Sequence, residues 1–134
     1  MKGLDTNVLV RYVTADDPEQ TPVAKAAIEG AEARGERLFL SAVVLCELVW
    51  VLAGRTYRYP RSSVLEVLDE ILESPTFQVQ DRSLVREAVA SFREGPADFA
   101  DYLLGRIHRN AGCDETWTFE TRLKEAEGFT VLGS

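Results

Sequence analysis

The sequence of 134 residues contains few of the residues on which several protein classes depend. Its two cysteines, Cys46 and Cys113, are too few for a disulfide framework and lack the spacing of a metal-binding motif. A single histidine, His108, excludes acid–base catalysis by a histidine pair. The longest apolar stretch, residues 42–54, is interrupted by Glu47 and is shorter than the roughly 20 residues of a membrane span. With no secretory signal in its first residues, we expect a soluble cytoplasmic protein.

Basic residues are also scarce, since 15 lysines and arginines face 22 aspartates and glutamates. The net charge of −7 predicts that the chain as a whole repels nucleic acid, and it argues against a broad phosphate-binding face. The composition is otherwise that of a globular protein. The length predicts a single domain over residues 1–134, with no room for a second core.

Hydrophobic periodicity predicts an alternation of strands and helices. Strands are predicted at 2–4, 38–40, 77–80, 115–118 and 129–132, and helices from 22 to 34 and over 42–53, 62–73, 84–92, 98–110 and 120–126. Gly35, Gly54 and Gly112 each end a helix, and Ser41 is a plausible N-cap. This alternation is typical of an α/β layer fold with a mostly parallel sheet, in which functional groups gather beyond the carboxyl ends of the strands.

Acidic residues from distant parts of the chain are predicted to reach that edge. They are Asp5, Glu47, Asp98, Asp101 and Glu120. Two carboxylates a few ångströms apart repel by about 1 kcal/mol in water and about 4 kcal/mol at an effective dielectric of 20. Such a cluster persists only if it shares protons or binds a cation. Mg²⁺ and Mn²⁺ prefer oxygen ligands, so the pattern favours a divalent-metal site that acts on a phosphodiester.

Each of these acids also has a purely structural interpretation. Asp98 is an expected N-cap with Asp101 as its capping-box partner, Asp5 could close an Asx turn, and Glu120 could be a solvated acid at a helix start. Glu47 is different, because it interrupts an apolar helix in which a buried charge is costly without a partner. We therefore expect Glu47 to be buried and functional.

Four ordered blocks of the sequence resemble a known family. The first block is Leu4-Asp5-Thr6-Asn7-Val8-Leu9-Val10-Arg11-Tyr12, followed by Asp16-Asp17-Pro18-Glu19-Gln20. Residues 41–52, 98–104 and 112–120 supply the others, and each block contains at least one acid of the predicted site. In this order the blocks resemble PIN-domain toxins of the VapC type over nearly the whole chain.

The resemblance implies a three-layer α/β/α fold and a Mg²⁺- or Mn²⁺-dependent endoribonuclease. It also implies a homodimer paired with a VapB-type antitoxin. The family's metal-site acids fall on Asp5, Glu47 and Asp101, with Asp98 as an adjacent acid, and the supporting polar positions on Thr6, Asn7 and Thr118. The fourth acid is usually Asp but here is Glu120, whose extra methylene moves the carboxylate.

From these residues we expect in-line hydrolysis of RNA, with Asp5 and Asp101 holding the cation. Glu47 would orient or deprotonate the attacking water or complete the shell of the ion, with Glu120 as the fourth acid of the site. The alternative is a catalytically weakened PIN-like module that mainly engages an antitoxin, and Glu120 is the feature in its favour. An aspartyl phosphatase is a weaker alternative, because Asn7 stands where a second acid is commonly needed.

A basic and aromatic segment directly follows the helix that carries Glu47. We predict that Arg55, Tyr57, Arg58 and Arg61 bind RNA, since guanidinium groups suit phosphates and tyrosine rings stack on unpaired bases. An ordinary connector, with tyrosines packed on the domain, is the alternative. The two tryptophans, Trp50 and Trp117, are predicted to lie in the core.

Overall fold

The computed structural model describes residues 1–133. The chain divides into two compact units, Met1–Arg82 and Ser83–Ser134, which we call the N-terminal and C-terminal units. A single domain over the whole chain stays a prediction from length. We describe each unit by itself.

The N-terminal unit contains three short strands and four helices. In chain order they are β1 (Lys2–Gly3), α1 (Thr6–Thr14), α2 (Gln20–Ala33), β2 (Leu38–Leu40), α3 (Ala42–Ala53), α4 (Arg61–Glu73) and β3 (Phe77–Val79). The strands form a parallel sheet in the order β1-β2-β3, with Gly3 opposite Phe39 and Phe39 opposite Gln78. Helices α1 and α3 therefore begin just beyond the carboxyl ends of β1 and β2.

Helix α3 supplies much of the core of this unit. Leu45, Leu48 and Leu52 are completely buried, as expected for a helix that is apolar on nearly every side. Its predicted bounds are confirmed, and so is its N-cap, because the Ser41 hydroxyl accepts a hydrogen bond from the backbone N–H of Val44. The cap fixes the first turn of α3, one turn before Glu47.

The C-terminal unit contains most of α5 (Arg82–Glu94), then α6 (Phe99–Asn110), β4 (Thr116–Thr118) and β5 (Phe129–Val131). The two strands pair in parallel, with Trp117 opposite Thr130. A short 3-10 helix, Thr121–Leu123, lies between them where the sequence predicted a longer helix. Gly105 of α6 packs closely on β5, since a Cβ there would lie 2.4 Å from the ring of Phe129.

The predicted α/β class is confirmed, because helices alternate with strands and every strand pair is parallel. The core prediction for both tryptophans is wrong: Trp50 is 54% exposed and Trp117 is 68% exposed. Hydropathy identifies a side chain that water disfavours, but it does not reveal whether another element covers it. Among the described residues, no helix is both long and apolar enough to cross a membrane.

Candidate active site

The first group of predicted site residues lies in the N-terminal unit at the starts of α1 and α3. Asp5 is the N-cap of α1, and its Oδ1 accepts the backbone N–H of Thr6 at 2.9 Å. The buried Thr6 side chain in turn donates from Oγ1 to Oε1 of Glu47 at 2.9 Å. Thr6 thus connects the carboxylates of Asp5 and Glu47, which we call the α1–α3 carboxylate pair.

The prediction that Glu47 is buried is wrong, because its side chain lies on an exposed face of α3. Val43 and Trp50, one turn before and after it, are exposed by 66% and 54%. The apolar sequence around Glu47 therefore does not reflect burial of the carboxylate itself. Its support as a site residue comes instead from the hydrogen bond with Thr6, which joins residues 41 positions apart.

The second group lies in the C-terminal unit at the start of α6. Asp98 is the N-cap, with its Oδ1 accepting the backbone N–H of Phe99 at 2.8 Å. Asp101 completes the predicted capping box by accepting the backbone N–H of Asp98 at 3.4 Å. We call Asp98 and Asp101 the α6 carboxylates. The capping interpretation is confirmed, and the local sequence explains why both acids stand at a helix N-terminus.

The capping hydrogen bonds do not fully offset the free-energy cost of ionising the Asp101 carboxyl. Partial burial raises the pKa of this carboxyl, and the negative charges of Asp98 and Glu120 raise it further. The hydrogen bond from the Asp98 backbone and the charge of Arg122 oppose that rise without cancelling it. The folded protein therefore holds an ionised Asp101 less favourably than water does, as a cation-binding position would.

Glu120 follows β4 and is the N-cap of the 3-10 helix. Its carboxylate accepts hydrogen bonds from the Arg122 side chain and from the Arg122 backbone, which lower its pKa to about 2. Thr118 supports the same turn, since its Oγ1 accepts the backbone N–H of Glu120 at 3.0 Å. Sequence reasoning missed Arg122. The signal available was an arginine two residues after an acid at a predicted helix start, where its backbone N–H meets the cap.

The donor atoms of these groups suit a hard divalent cation, because all of them are carboxylate oxygens. Within residues 1–133, no group of three or more His, Cys, Asp or Glu side chains forms a ready-made metal site. Mg²⁺ commonly binds through one or two carboxylates and retains several waters. Asp101, with its raised pKa, fits such a ligand. Asn7, predicted to support the site, is exposed on α1.

The basic segment after α3 divides into packed and exposed residues. The hydroxyl of Tyr57 accepts a hydrogen bond from Arg11 at 3.1 Å, and its ring packs edge to face on Tyr59 with centroids 6.4 Å apart. Arg55, Arg58 and Arg61 are exposed. Tyr57 therefore anchors the segment to α1, whereas the arginines face solvent.

Comparison with known proteins covers nearly the whole chain. Residues 3–128 match the PIN domain, a span that includes every predicted site residue. The chain is also 30% identical over 132 residues to a VapC ribonuclease of Aquifex aeolicus strain VF5, covering 98% of this chain and 96% of the relative. This chain belongs to the VapC-type PIN-domain family. The predicted three-layer α/β/α class is thereby confirmed. No solved structure matches the chain significantly.

The raised pKa of Asp101 in this VapC-type chain predicts that one substitution stabilises the fold. Asp101→Asn keeps an oxygen that can accept from the Asp98 backbone but removes the cost of partly burying a charge and the repulsion by Asp98 and Glu120. After allowance for solvent screening, it should raise the free energy of unfolding at pH 7 by up to about 1 kcal/mol, measured by urea denaturation without divalent metal.

The sign of the pH dependence follows from the raised pKa of Asp101. The carboxyl of Asp101 binds its proton more tightly in the folded state than in the unfolded chain. The loss of folding stability from its charge is therefore complete at neutral pH, and it disappears as the pH falls through the raised pKa toward the usual value of 3.8. The gain in the free energy of unfolding from Asp101→Asn should decrease over the same pH range. Asp114→Asn, on an exposed loop of the same unit, is the charge-matched control, and an equal gain from it would contradict the interpretation.

Proposed function

We propose that this VapC-type protein is a divalent-metal-dependent endoribonuclease and the toxin of a VapBC-type toxin–antitoxin module. The carrying observation is Asp101, an acid held in the capping box at the start of α6 although partial burial and the charges of Asp98 and Glu120 disfavour its ionised form. The match to the PIN domain and to a VapC ribonuclease supports RNA hydrolysis. Mg²⁺ or Mn²⁺ would be the cofactor.

Both groups of carboxylates are assigned to this reaction. Asp5, Glu47 and Asp101 would hold the cation, with Asp98 as an adjacent ligand that also caps α6. A divalent cation bound by such oxygens activates water and offsets negative charge that develops on a phosphodiester under attack. Thr6 would keep Glu47 oriented through their 2.9 Å hydrogen bond, so that Glu47 either completes the shell of the ion or orients or deprotonates the attacking water.

The proposed function also implies which molecules the protein binds. The substrate would be RNA, and the inhibitor a VapB-type antitoxin that offers a basic side chain to the acidic residues. A homodimer is the expected assembly. The net charge of −7 predicts modest RNA affinity without metal, because phosphate contacts supply most non-specific binding to nucleic acids.

The proposed activity predicts the effect of removing single carboxylates. Asp5→Asn, Glu47→Gln and Asp101→Asn should each reduce Mn²⁺-dependent cleavage of a structured RNA by at least about a hundredfold, as expected for loss of a group that stabilises the transition state. Glu66→Gln and Asp114→Asn, exposed acids of the two units, should retain full activity. Chelation by EDTA should abolish cleavage by the unmodified protein.

The same assay separates the proposal from a catalytically weakened module that mainly binds an antitoxin. The engagement of Glu120 with Arg122 is the observation in favour of that module, since it occupies both carboxylate oxygens. Absence of cleavage by the unmodified protein with either Mg²⁺ or Mn²⁺ would reject the nuclease proposal. Cleavage that survives all three substitutions would reject the assigned residues.

The segment after α3 gives a separate prediction about RNA binding. We propose that Arg55, Arg58 and Arg61 contact phosphates while Tyr57 positions the segment. Replacing the three arginines with Gln should weaken RNA binding and flatten its dependence on salt by about 0.7 per lost contact to a single strand.

The matched control replaces Arg34, Arg37 and Arg86, three exposed arginines outside the segment, with Gln. It changes the net charge equally but should have little effect on the salt dependence. Binding would be measured by fluorescence anisotropy in an Asp5→Asn background, which prevents cleavage. Equal effects of the two triple variants would show that only net charge matters.

A further inference from the structure

Arg122 is held by Glu120 in a two-pronged ion pair on the turn after β4. Its Nε donates to Oε1 at 3.1 Å and its Nη2 donates to Oε2 at 3.0 Å. The backbone N–H of the same arginine donates to Oε1 at 2.9 Å. Three hydrogen bonds between two residues fix the plane of the guanidinium relative to the turn.

This arrangement gives Glu120 a task other than holding a metal ion. Oε1 accepts two hydrogen bonds and Oε2 accepts one, so both oxygens already serve Arg122. The shorter side chain of Asp, usual at this position of the family, ends one methylene nearer the backbone. We therefore infer that Glu120 stands in place of the usual Asp because its longer side chain anchors Arg122.

The outer edge of the guanidinium stays available. Among residues 1–133, neither N–H of Arg122 Nη1 and only one N–H of Nη2 has a protein acceptor. The Arg122 side chain is 53% exposed, whereas the Glu120 side chain is 30% exposed. The charges of Asp101 and Asp98 raise the pKa of Arg122 after the larger effect of Glu120, so the guanidinium lies within the field of the α6 carboxylates.

We propose that Arg122, oriented by Glu120, binds and positions a phosphate of the RNA strand beside Asp101. The inference rests on the proposed nuclease function and extends it to a substrate-binding residue. A planar guanidinium with free parallel N–H groups matches phosphate oxygens, and it remains charged at every physiological pH. In a chain with a net charge of −7, Arg122 supplies phosphate with a positively charged donor, and a divalent cation would offset the negative charge of the neighbouring acids.

The chain offers a closely matched control in Arg109 and Glu127. Their ion pair has the same 3.0 Å separation, and the Arg109 side chain has the same 53% exposure. It lies in the same unit, but Arg109 stands near the C-terminus of α6, at the opposite end of that helix from the α6 carboxylates. Replacing Arg109 therefore removes an exposed ion pair of the same unit and leaves Arg122 and the α6 carboxylates in place.

The experiment compares Arg122→Ala, Arg122→Lys and Arg109→Ala. We expect Arg122→Ala to lower kcat/KM for Mn²⁺-dependent RNA cleavage by about tenfold to a hundredfold, the loss of a charge-assisted hydrogen bond. In an Asp5→Asn background, it should also reduce the salt slope of single-strand binding by about 0.7. Arg122→Lys should restore the slope but only part of kcat/KM, because lysine lacks the paired donors. Arg109→Ala should match the unmodified protein in both measurements.

A purely structural role for Arg122 would leave the salt slope unchanged, and that result would overturn the proposal. Equal effects of Arg122→Ala and Arg109→Ala would overturn it as well. Should Arg122→Ala fail to fold, Arg122→Lys decides, since full kcat/KM in that variant means that the paired donors are not used. Failure of the unmodified protein to cleave RNA would instead reject the nuclease function on which the inference rests.

Discussion

Negative charge at the N-terminus of α6 is the constraint on which the candidate active site depends. Asp98 and Asp101 satisfy the first backbone N–H groups of the helix, and the helix dipole favours their charges. Glu120 adds a third acid, and the pKa of Asp101 is raised by burial and by these neighbours. Burial and these neighbours disfavour the ionised form of Asp101, and a bound cation would offset that cost.

Three kinds of positive charge would balance these acids in the proposed account. Arg122 is supplied by the chain itself and is bound by Glu120. A divalent cation would be recruited from solution, and a VapB-type antitoxin would supply a basic group when the enzyme is inhibited. The net charge of −7 is therefore compatible with an RNA-cleaving enzyme, because the charge that matters is the local one.

Local features of this fold were predictable from sequence, and non-local ones were not. The bounds of α3, the Ser41 cap and the capping box at Asp98 follow from residue patterns within one or two turns. The exposure of Glu47 and its hydrogen bond with Thr6 depend on how α1 and α3 pack, which no local pattern encodes. The site acids were singled out from their predicted positions at the sheet edge, and the ordered blocks that resemble the VapC-type family assigned their roles.

Direct measurement of Mn²⁺ binding tests the central claim, that the charge at the start of α6 is kept for a divalent cation. Free Mn²⁺ would be followed by electron paramagnetic resonance during titration of the unmodified protein and of Asp101→Asn at pH 7. The account predicts saturable binding to the unmodified protein and at least a tenfold weaker affinity in the variant, in keeping with loss of a metal ligand. Identical binding curves for the two proteins would contradict it.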